Sequence, residues 1–228
     1  MVGTKDFETN FTGWAFILAA VLLFFGWVLS PHHIGEYISV EDFKPIGENV
    51  WFWIWMYRIH IFGWVAMGIA LFALVSITAR KPFRVLILPG AGMLIIGTFT
   101  LAIAAAYFYN HGAWGVGQTE GLSPVELDDF MVNLLFTNQY VTCFIRFGRI
   151  FSGVGLILLG AGFVKWKLVN TLIGWLTILL GLVAMSIILF IPDNFEIYKP
   201  IFYVKVLWLA LMGIVLLKHG INLSEEKA

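Results

Sequence analysis

Apolar residues occur in six long runs along the chain, separated by shorter polar segments. The runs cover residues 11–30, 51–79, 84–108, 139–164, 168–191 and 200–218. About 20 apolar residues cross the hydrocarbon core of a bilayer as a helix, and each run is about that long or longer. The pattern predicts an all-α polytopic membrane protein. We expect residues 1–228 to form one domain, a bundle of six transmembrane helices.

The composition agrees with a membrane protein and excludes several other classes. Of the 228 residues, 60% are apolar and 12% are charged, whereas soluble domains have about 45–50% apolar and about 25% charged residues. The net charge is zero, so no basic surface predicts nucleic acid as a partner. The single cysteine, Cys143, rules out a disulfide within this chain. We expect it to be a small buried side chain.

The basic residues outside the runs concentrate on one side of the predicted bundle. They are Lys5, Arg80, Lys81, Arg84, Lys165, Lys167, Lys218 and Lys227, against Lys44 and Lys199 on the other side. By the positive-inside rule, both termini and the two short turns are predicted to be cytoplasmic. The first run has no small-residue cleavage site after it, which favours a retained transmembrane helix over a signal peptide. We expect the cytoplasmic (inner) membrane of a bacterium or archaeon.

The segment after the third run carries a helix start signal. Ser123, Pro124 and Glu126 form an N-cap, a proline at the first helical position and an acidic first turn. Apolar residues at helical spacing follow, with Asp128 and Asp129 on the polar side. Either a short helix lies flat at the outer interface, or the fourth transmembrane helix begins here. The sequence favours the interfacial helix.

Five cationic or imidazole side chains lie inside the predicted spans, toward their outer ends. They are Arg58, His60, Arg146, Arg149 and Lys205. No carboxylate of the chain lies inside a predicted span. Since buried cations require anionic partners, we expect an anionic ligand, lipid phosphate, a loop carboxylate or an acid from another subunit beside them.

Each of these residues also has an ordinary structural interpretation. Two residues turn a helix by about 200°, so Arg58 and His60 face opposite sides. Arg58 is expected to face lipid and to reach the headgroups, whereas His60 is either a packed core histidine or a ligand. Arg146 and Arg149 share one face and are expected to bind an anion or to pair with Asp128, Asp129 or Glu126. Lys205 either joins this site or extends to the interface.

The histidines suggest a metal or haem site in the outer half. His32, His33 and His111 follow the first and third runs and could join His60, since imidazole binds iron, copper and zinc. The arginines would then face haem propionates. Aromatic clusters around Trp51 and Tyr107 suit a quinone as well as an interfacial belt. The predicted cofactor-binding residues are His60, Arg146, Arg149 and Lys205, and the predicted metal ligands are His60, His111, His33 and His32.

A faint internal repeat is also present. His60, Arg149 and Lys205 can be superimposed in sequence, and Gly68 then coincides with Gly213. Gly90 and Gly97 in the third run have the same spacing as Gly174 and Gly181 in the fifth. Repeats of this kind often place a site at their interface.

Three functional classes remain. The favoured one is a membrane subunit of an electron-transfer or oxidoreductase complex, with a haem, copper or quinone site in the outer half. The second is a small anion transporter or channel-like protein that uses Arg146, Arg149 and Lys205. The third is a scaffold subunit of a larger membrane complex. Other membrane subunits or further copies of this chain are the expected partners, in addition to lipid.

Overall fold

Helices make up most of the protein. The computed structural model describes residues 3–28, 46–78, 82–191 and 195–221, with side chains from residue 7 in the first range and from residue 197 in the last. The six long helices are α1 (Gly3–Val28), α2 (Val50–Thr78), α3 (Arg84–Phe108), α4 (Pro124–Trp166), α5 (Thr171–Phe190) and α6 (Phe195–His219). A π-helical segment (Tyr109–Trp114) and a one-turn helix (Val116–Thr119) connect α3 to α4.

All six long helices are sufficiently long and apolar to cross a membrane, which confirms the predicted all-helical class and number of spans. Apart from the fourth helix and the start of the first, which lies eight residues before its run, their bounds agree with the apolar runs to within five residues. Large apolar side chains such as Phe72, Phe99 and Leu207 are exposed on the outside of the bundle. Such an outer surface suits a lipid bilayer.

The fourth helix is longer than predicted. It runs without a break for 43 residues from Pro124 to Trp166, so the separate interfacial helix favoured by the sequence is wrong and the alternative, an extension of the fourth span, is correct. The predicted start is confirmed: Ser123 Oγ accepts a hydrogen bond from Glu126 N–H, and Glu126 accepts one from Ser123 N–H. At 1.5 Å per residue, α4 is about 64 Å long, about twice the thickness of a hydrocarbon core.

The helices form a ring in chain order. α1 packs against α2, α2 against α3, α3 against α4 and α4 against α5, while α6 packs against α1 and more lightly against α5. A Cβ on Gly13 would lie 3.0 Å from the carbonyl oxygen of Gly213, so the start of α1 lies beside the end of α6. The ring therefore has one end that carries these terminal turns together with the ends of α2 and α4, and an opposite end at which α1, α3 and α5 end.

Glycines on two sides of α4 form its contacts with α3 and α5. Gly97 and Gly90 of α3 pack against Gly148 and Gly155 of α4, and Gly181 and Gly174 of α5 pack against Gly153 and Gly160. At every one of these positions an added Cβ would lie 3.3 Å or less from the partner glycine's carbonyl oxygen. Small residues at such contacts let membrane helices approach closely.

The packing reproduces only part of the faint repeat in the sequence. The matching glycine spacing in the third and fifth runs corresponds to equivalent contacts of α3 and α5 with α4. Gly68 and Gly213 are not equivalent, because a Cβ on Gly68 would meet nothing within 4 Å, whereas one on Gly213 would lie 2.7 Å from the carbonyl oxygen of Gly13.

Candidate functional site

Three of the four predicted cofactor-binding residues line one cavity inside the ring. His60 of α2, Arg149 of α4 and Lys205 of α6 surround a space of about 30 Å³. His60 is 1% exposed and Arg149 is 8% exposed. We call this space the central cavity. It lies toward the end of the bundle opposite the terminal turns, since Trp27 near the end of α1 and Tyr198 near the start of α6 also line it.

Arg146 lies outside the cavity lining. Its side chain is exposed, while Arg149 one turn later is buried. The prediction that both arginines share a packed face is therefore wrong for Arg146. The two positions are about 60° apart around the helix axis, and the edge of the packed sector of α4 falls between them.

The acids at the start of α4 cannot neutralise these arginines within the chain. Asp129 precedes Arg146 by 17 residues on one continuous helix, which separates their Cα atoms by about 26 Å. Asp128 and Glu126 are farther away still, and all three acids are exposed. The predicted pairing of Arg146 or Arg149 with Asp128, Asp129 or Glu126 is therefore wrong.

Tyr198 lies between the two cationic side chains of the cavity. The Lys205 ammonium donates a hydrogen bond of 2.6 Å to the Tyr198 hydroxyl oxygen. The Arg149 guanidinium lies 4.0 Å from the centre of the Tyr198 ring, close enough for a cation–π interaction. Tyr198 is 3% exposed, so it holds both cations at the wall of the cavity.

Aromatic rings surround His60. Its imidazole centre lies 6.0 Å from that of Trp27, 5.6 Å from Trp64 and 6.2 Å from Phe202. The Nδ1 atom is buried and has no hydrogen-bond partner. His60 is thus a packed histidine with one unsatisfied ring nitrogen.

A second unsatisfied polar group belongs to the same wall. Trp64 lines the central cavity, and its buried Nε1–H donor has no acceptor. An unsatisfied buried donor costs roughly 1–3 kcal/mol, and a cavity of more than about 10–15 Å³ has room for a water molecule. Trp64 therefore adds a second unsatisfied polar group to the residues around the cavity.

Arg58 makes a separate contact away from the cavity. Its guanidinium donates hydrogen bonds of 3.2 and 3.0 Å to the Tyr109 hydroxyl and lies 5.1 Å from the centre of a Trp55 ring. The side chain is half-buried. The prediction that Arg58 and His60 face opposite sides of α2 agrees with this position. The Arg58 side chain contacts Tyr109 in the segment after α3.

The histidines predicted as metal ligands are not brought together in the described part of the chain. His111 lies in the π-helical segment, packs 4.4 Å from the Tyr107 ring centre and is absent from the cavity lining. His32 and His33 lie outside the described residues. Within residues 3–28, 46–78, 82–191 and 195–221, no three His, Cys, Asp or Glu side chains could together hold a metal ion.

The aromatic residues of the site were not predicted from the sequence; they are Trp27, Trp64, Tyr198 and Phe202. Tyr198 precedes Lys205 by seven residues, which places both on one face after two helical turns, so the spacing could have indicated the pair. Phe202 stacks on Trp27 with ring centres 4.2 Å apart. No local signal marks that contact, because the two rings come from opposite ends of the chain.

Comparison with known proteins identifies no relative. No protein-family model matches the chain, and neither curated proteins nor solved structures match it significantly. The functional assignment therefore depends on the geometry of the central cavity.

Proposed function

We propose that this chain binds a small anion in the central cavity and acts as an anion transporter or channel-like membrane protein. The observation that supports this proposal is the convergence of Arg149 and Lys205 on one cavity whose wall also includes Trp64. The guanidinium stays protonated at every pH that proteins tolerate. The site therefore contains a side chain that is permanently charged.

The volume of the cavity favours a small ligand. About 30 Å³ accommodates one or two water-sized groups, whereas sites for drug-sized molecules occupy roughly 300–1,000 Å³. Chloride is the simplest probe of suitable size. With the termini on the cytoplasmic side, as the positive-inside rule predicts, the cavity would lie in the outer half of a bacterial or archaeal cytoplasmic membrane.

Chloride flux in liposomes that contain the purified protein tests the proposal. We expect Arg149→Met to reduce the flux at least about tenfold, because a hydrogen bond to a charged group contributes roughly 1.5–3 kcal/mol. Arg146→Met is the matched control, since it removes an exposed arginine from the same helix. Arg149→Lys should restore part of the flux because it keeps the charge but not the planar donor group.

Equal loss of flux in the Arg146 and Arg149 variants would contradict the proposal, as would wild-type flux in Arg149→Met. Size-exclusion profiles and melting temperatures of the purified variants must accompany the flux, so that a misfolded variant is recognised as such.

A membrane subunit of an electron-transfer complex is the second proposal. The observation that favours it is the buried His60 imidazole with an unsatisfied Nδ1 among the rings of Trp27, Trp64 and Phe202. In that case a haem or a copper ion would require ligands beyond those that the described residues group together. Such ligands would come from His32, His33 or another subunit.

Visible absorption and metal analysis of gently solubilised protein test this second proposal. We expect a haem band or stoichiometric copper that is lost in His60→Ala, while the variant still inserts into the membrane. Full cofactor content in His60→Ala, or a colourless and metal-free wild type, would contradict it. Fixed protein partners without a chromophore would instead favour a scaffold subunit.

A further inference from the structure

A second cavity lies beside the central one along the axis of the ring, on the side of the terminal turns. Its volume is about 20 Å³, and we call it the inner cavity. Both cavities are lined by α1, α2, α3, α4 and α6.

On each of these helices, the lining residues shift by about one to three turns toward the terminal end. The shift runs from Trp27 to Leu23 on α1, from His60 to Met67 on α2, from Leu101 to Leu94 on α3, from Arg149 to Leu156 on α4 and from Tyr198 to Leu209 on α6. A shift in the same direction on five helices places the cavities one after the other along the ring axis.

Three side chains line both cavities and therefore separate them. They are Trp64, Phe202 and Lys205. Phe202 is 4% exposed and stacks on Trp27 at 4.2 Å with an angle of 22° between the rings. Its ring centre is also 6.2 Å from that of Trp64. An apolar ring at this position obstructs a hydrated ion, since hydrophobic constrictions close pores by excluding water.

Lys205 is the cation common to both spaces. Its ammonium contacts the Tyr198 hydroxyl at the central cavity, while the residue also lines the inner cavity. A lysine is a compact charge on a flexible four-carbon chain. A change of rotamer can therefore redirect the ammonium without movement of α6.

We infer that the two cavities are consecutive anion sites on one route through the centre of the ring, with Phe202 as the barrier and Lys205 as the cation that serves both. This inference rests on the proposed anion function and extends it from one binding site to a path. Arg149 holds the anion in the central cavity, displacement of the Phe202 ring opens the way, and the Lys205 ammonium accompanies the anion into the inner cavity. Trp64 lines both cavities, so its ring lies beside the anion on either side of the barrier.

Binding and flux are measured separately to test the route. Binding is the rise in melting temperature of the detergent-solubilised protein in chloride relative to gluconate, because a ligand that binds only the folded state stabilises it. Flux is chloride movement in liposomes. If the wild type shows neither binding nor flux, the proposed function itself fails, and the two-site route fails with it.

Replacing the barrier residue, Phe202, and replacing the shared cation, Lys205, should change the chloride flux in opposite directions. Phe202→Ala should raise chloride flux about tenfold, equivalent to a barrier lowered by about 1.4 kcal/mol, and should retain chloride-dependent stabilisation. Lys205→Met should abolish most of the flux while some stabilisation persists through Arg149. Phe72→Ala and Lys218→Met, both at exposed positions, are the controls and should match the wild type.

Wild-type flux in Lys205→Met, or unchanged flux in Phe202→Ala, in a protein that binds chloride would overturn the route but leave the central site intact. Thiol labelling provides a second measurement that does not depend on flux. Met67 lines only the inner cavity of the two, so Met67→Cys in a Cys143→Ala background reports on access to it.

A small anionic methanethiosulfonate should label Met67→Cys slowly, and faster once Phe202 is replaced by Ala or Leu. Equal labelling rates with and without Phe202 would overturn the barrier. The comparison remains valid if one of the two replacements fails to fold, because the other carries the same expectation.

Discussion

Gly26 is the residue that allows the histidine to lie where it does. An added Cβ there would lie 2.9 Å from the His60 Cα and 3.0 Å from its Nδ1. The first distance involves backbone, which cannot move aside as a flexible side chain can. The position of His60 at the cavity wall thus depends on a missing side chain in α1, far away in sequence.

Gly26→Ala should therefore displace α1 from α2. We expect a loss of about 1–3 kcal/mol of stability from overpacking, seen as a lower melting temperature in detergent, together with weaker stabilisation by chloride. Gly68→Ala in α2 is the control, because a Cβ there meets nothing within 4 Å. It should be neutral or stabilising by up to about 1 kcal/mol, as alanine favours a helix over glycine. Equal effects of both substitutions would show that the contact with His60 does not matter.

Single positions also mark the limit of what helical periodicity can predict. The sequence placed Arg146 and Arg149 side by side, and on an isolated helix they are neighbours. Only the positions of the helices around α4 determine that Arg149 is buried and Arg146 exposed. The prediction that Cys143 is buried is wrong for the same reason, since its side chain is exposed on α4.

Among the helices, α4 differs most from its prediction. The apolar run that locates a span reports which residues suit lipid, whereas helix length depends on backbone hydrogen bonds and end signals. The Ser123–Glu126 capping box starts the helix well before the apolar run begins at residue 139. Its first turns carry Asp128 and Asp129, which are exposed and lower the hydropathy without interrupting the helix.

The contact between α5 and α6 offers a test at the scale of the helix pair. Trp208 Nε1–H of α6 donates a buried hydrogen bond of 2.8 Å to Thr177 Oγ1 of α5. Thr177→Val keeps the shape but removes the acceptor, so the indole is left unsatisfied at a cost of about 1–3 kcal/mol. Thr177→Ser should retain most of the stability because it preserves the oxygen. If denaturation in detergent shows the Val and Ser variants to be equally stable, this hydrogen bond does not hold the two helices together.

At the scale of the whole molecule, a ring of six helices in chain order encloses two small stacked cavities. Five of the six long helices line them, while α5 packs between α4 and α6 and lines neither cavity. Since both spaces are narrow, any passage through the centre requires side chains to move rather than whole helices. The barrier residue Phe202 and the shared cation Lys205 both lie on α6. This helix packs only lightly against α5.

The sequence alone determined the fold class, the six spans and the set of cations inside them. These features are local, because bilayer thickness sets the length of an apolar run and an ionisable residue within it is visible without any partner. Only the tertiary structure decided that His60, Arg149 and Lys205 meet, that Arg146 does not join them, and that Tyr198 and Phe202 complete the site. Those facts depend on how each helix is rotated about its axis. That rotation is set by close contacts such as Gly26 with His60 and Gly97 with Gly148, between segments that no single stretch of sequence contains.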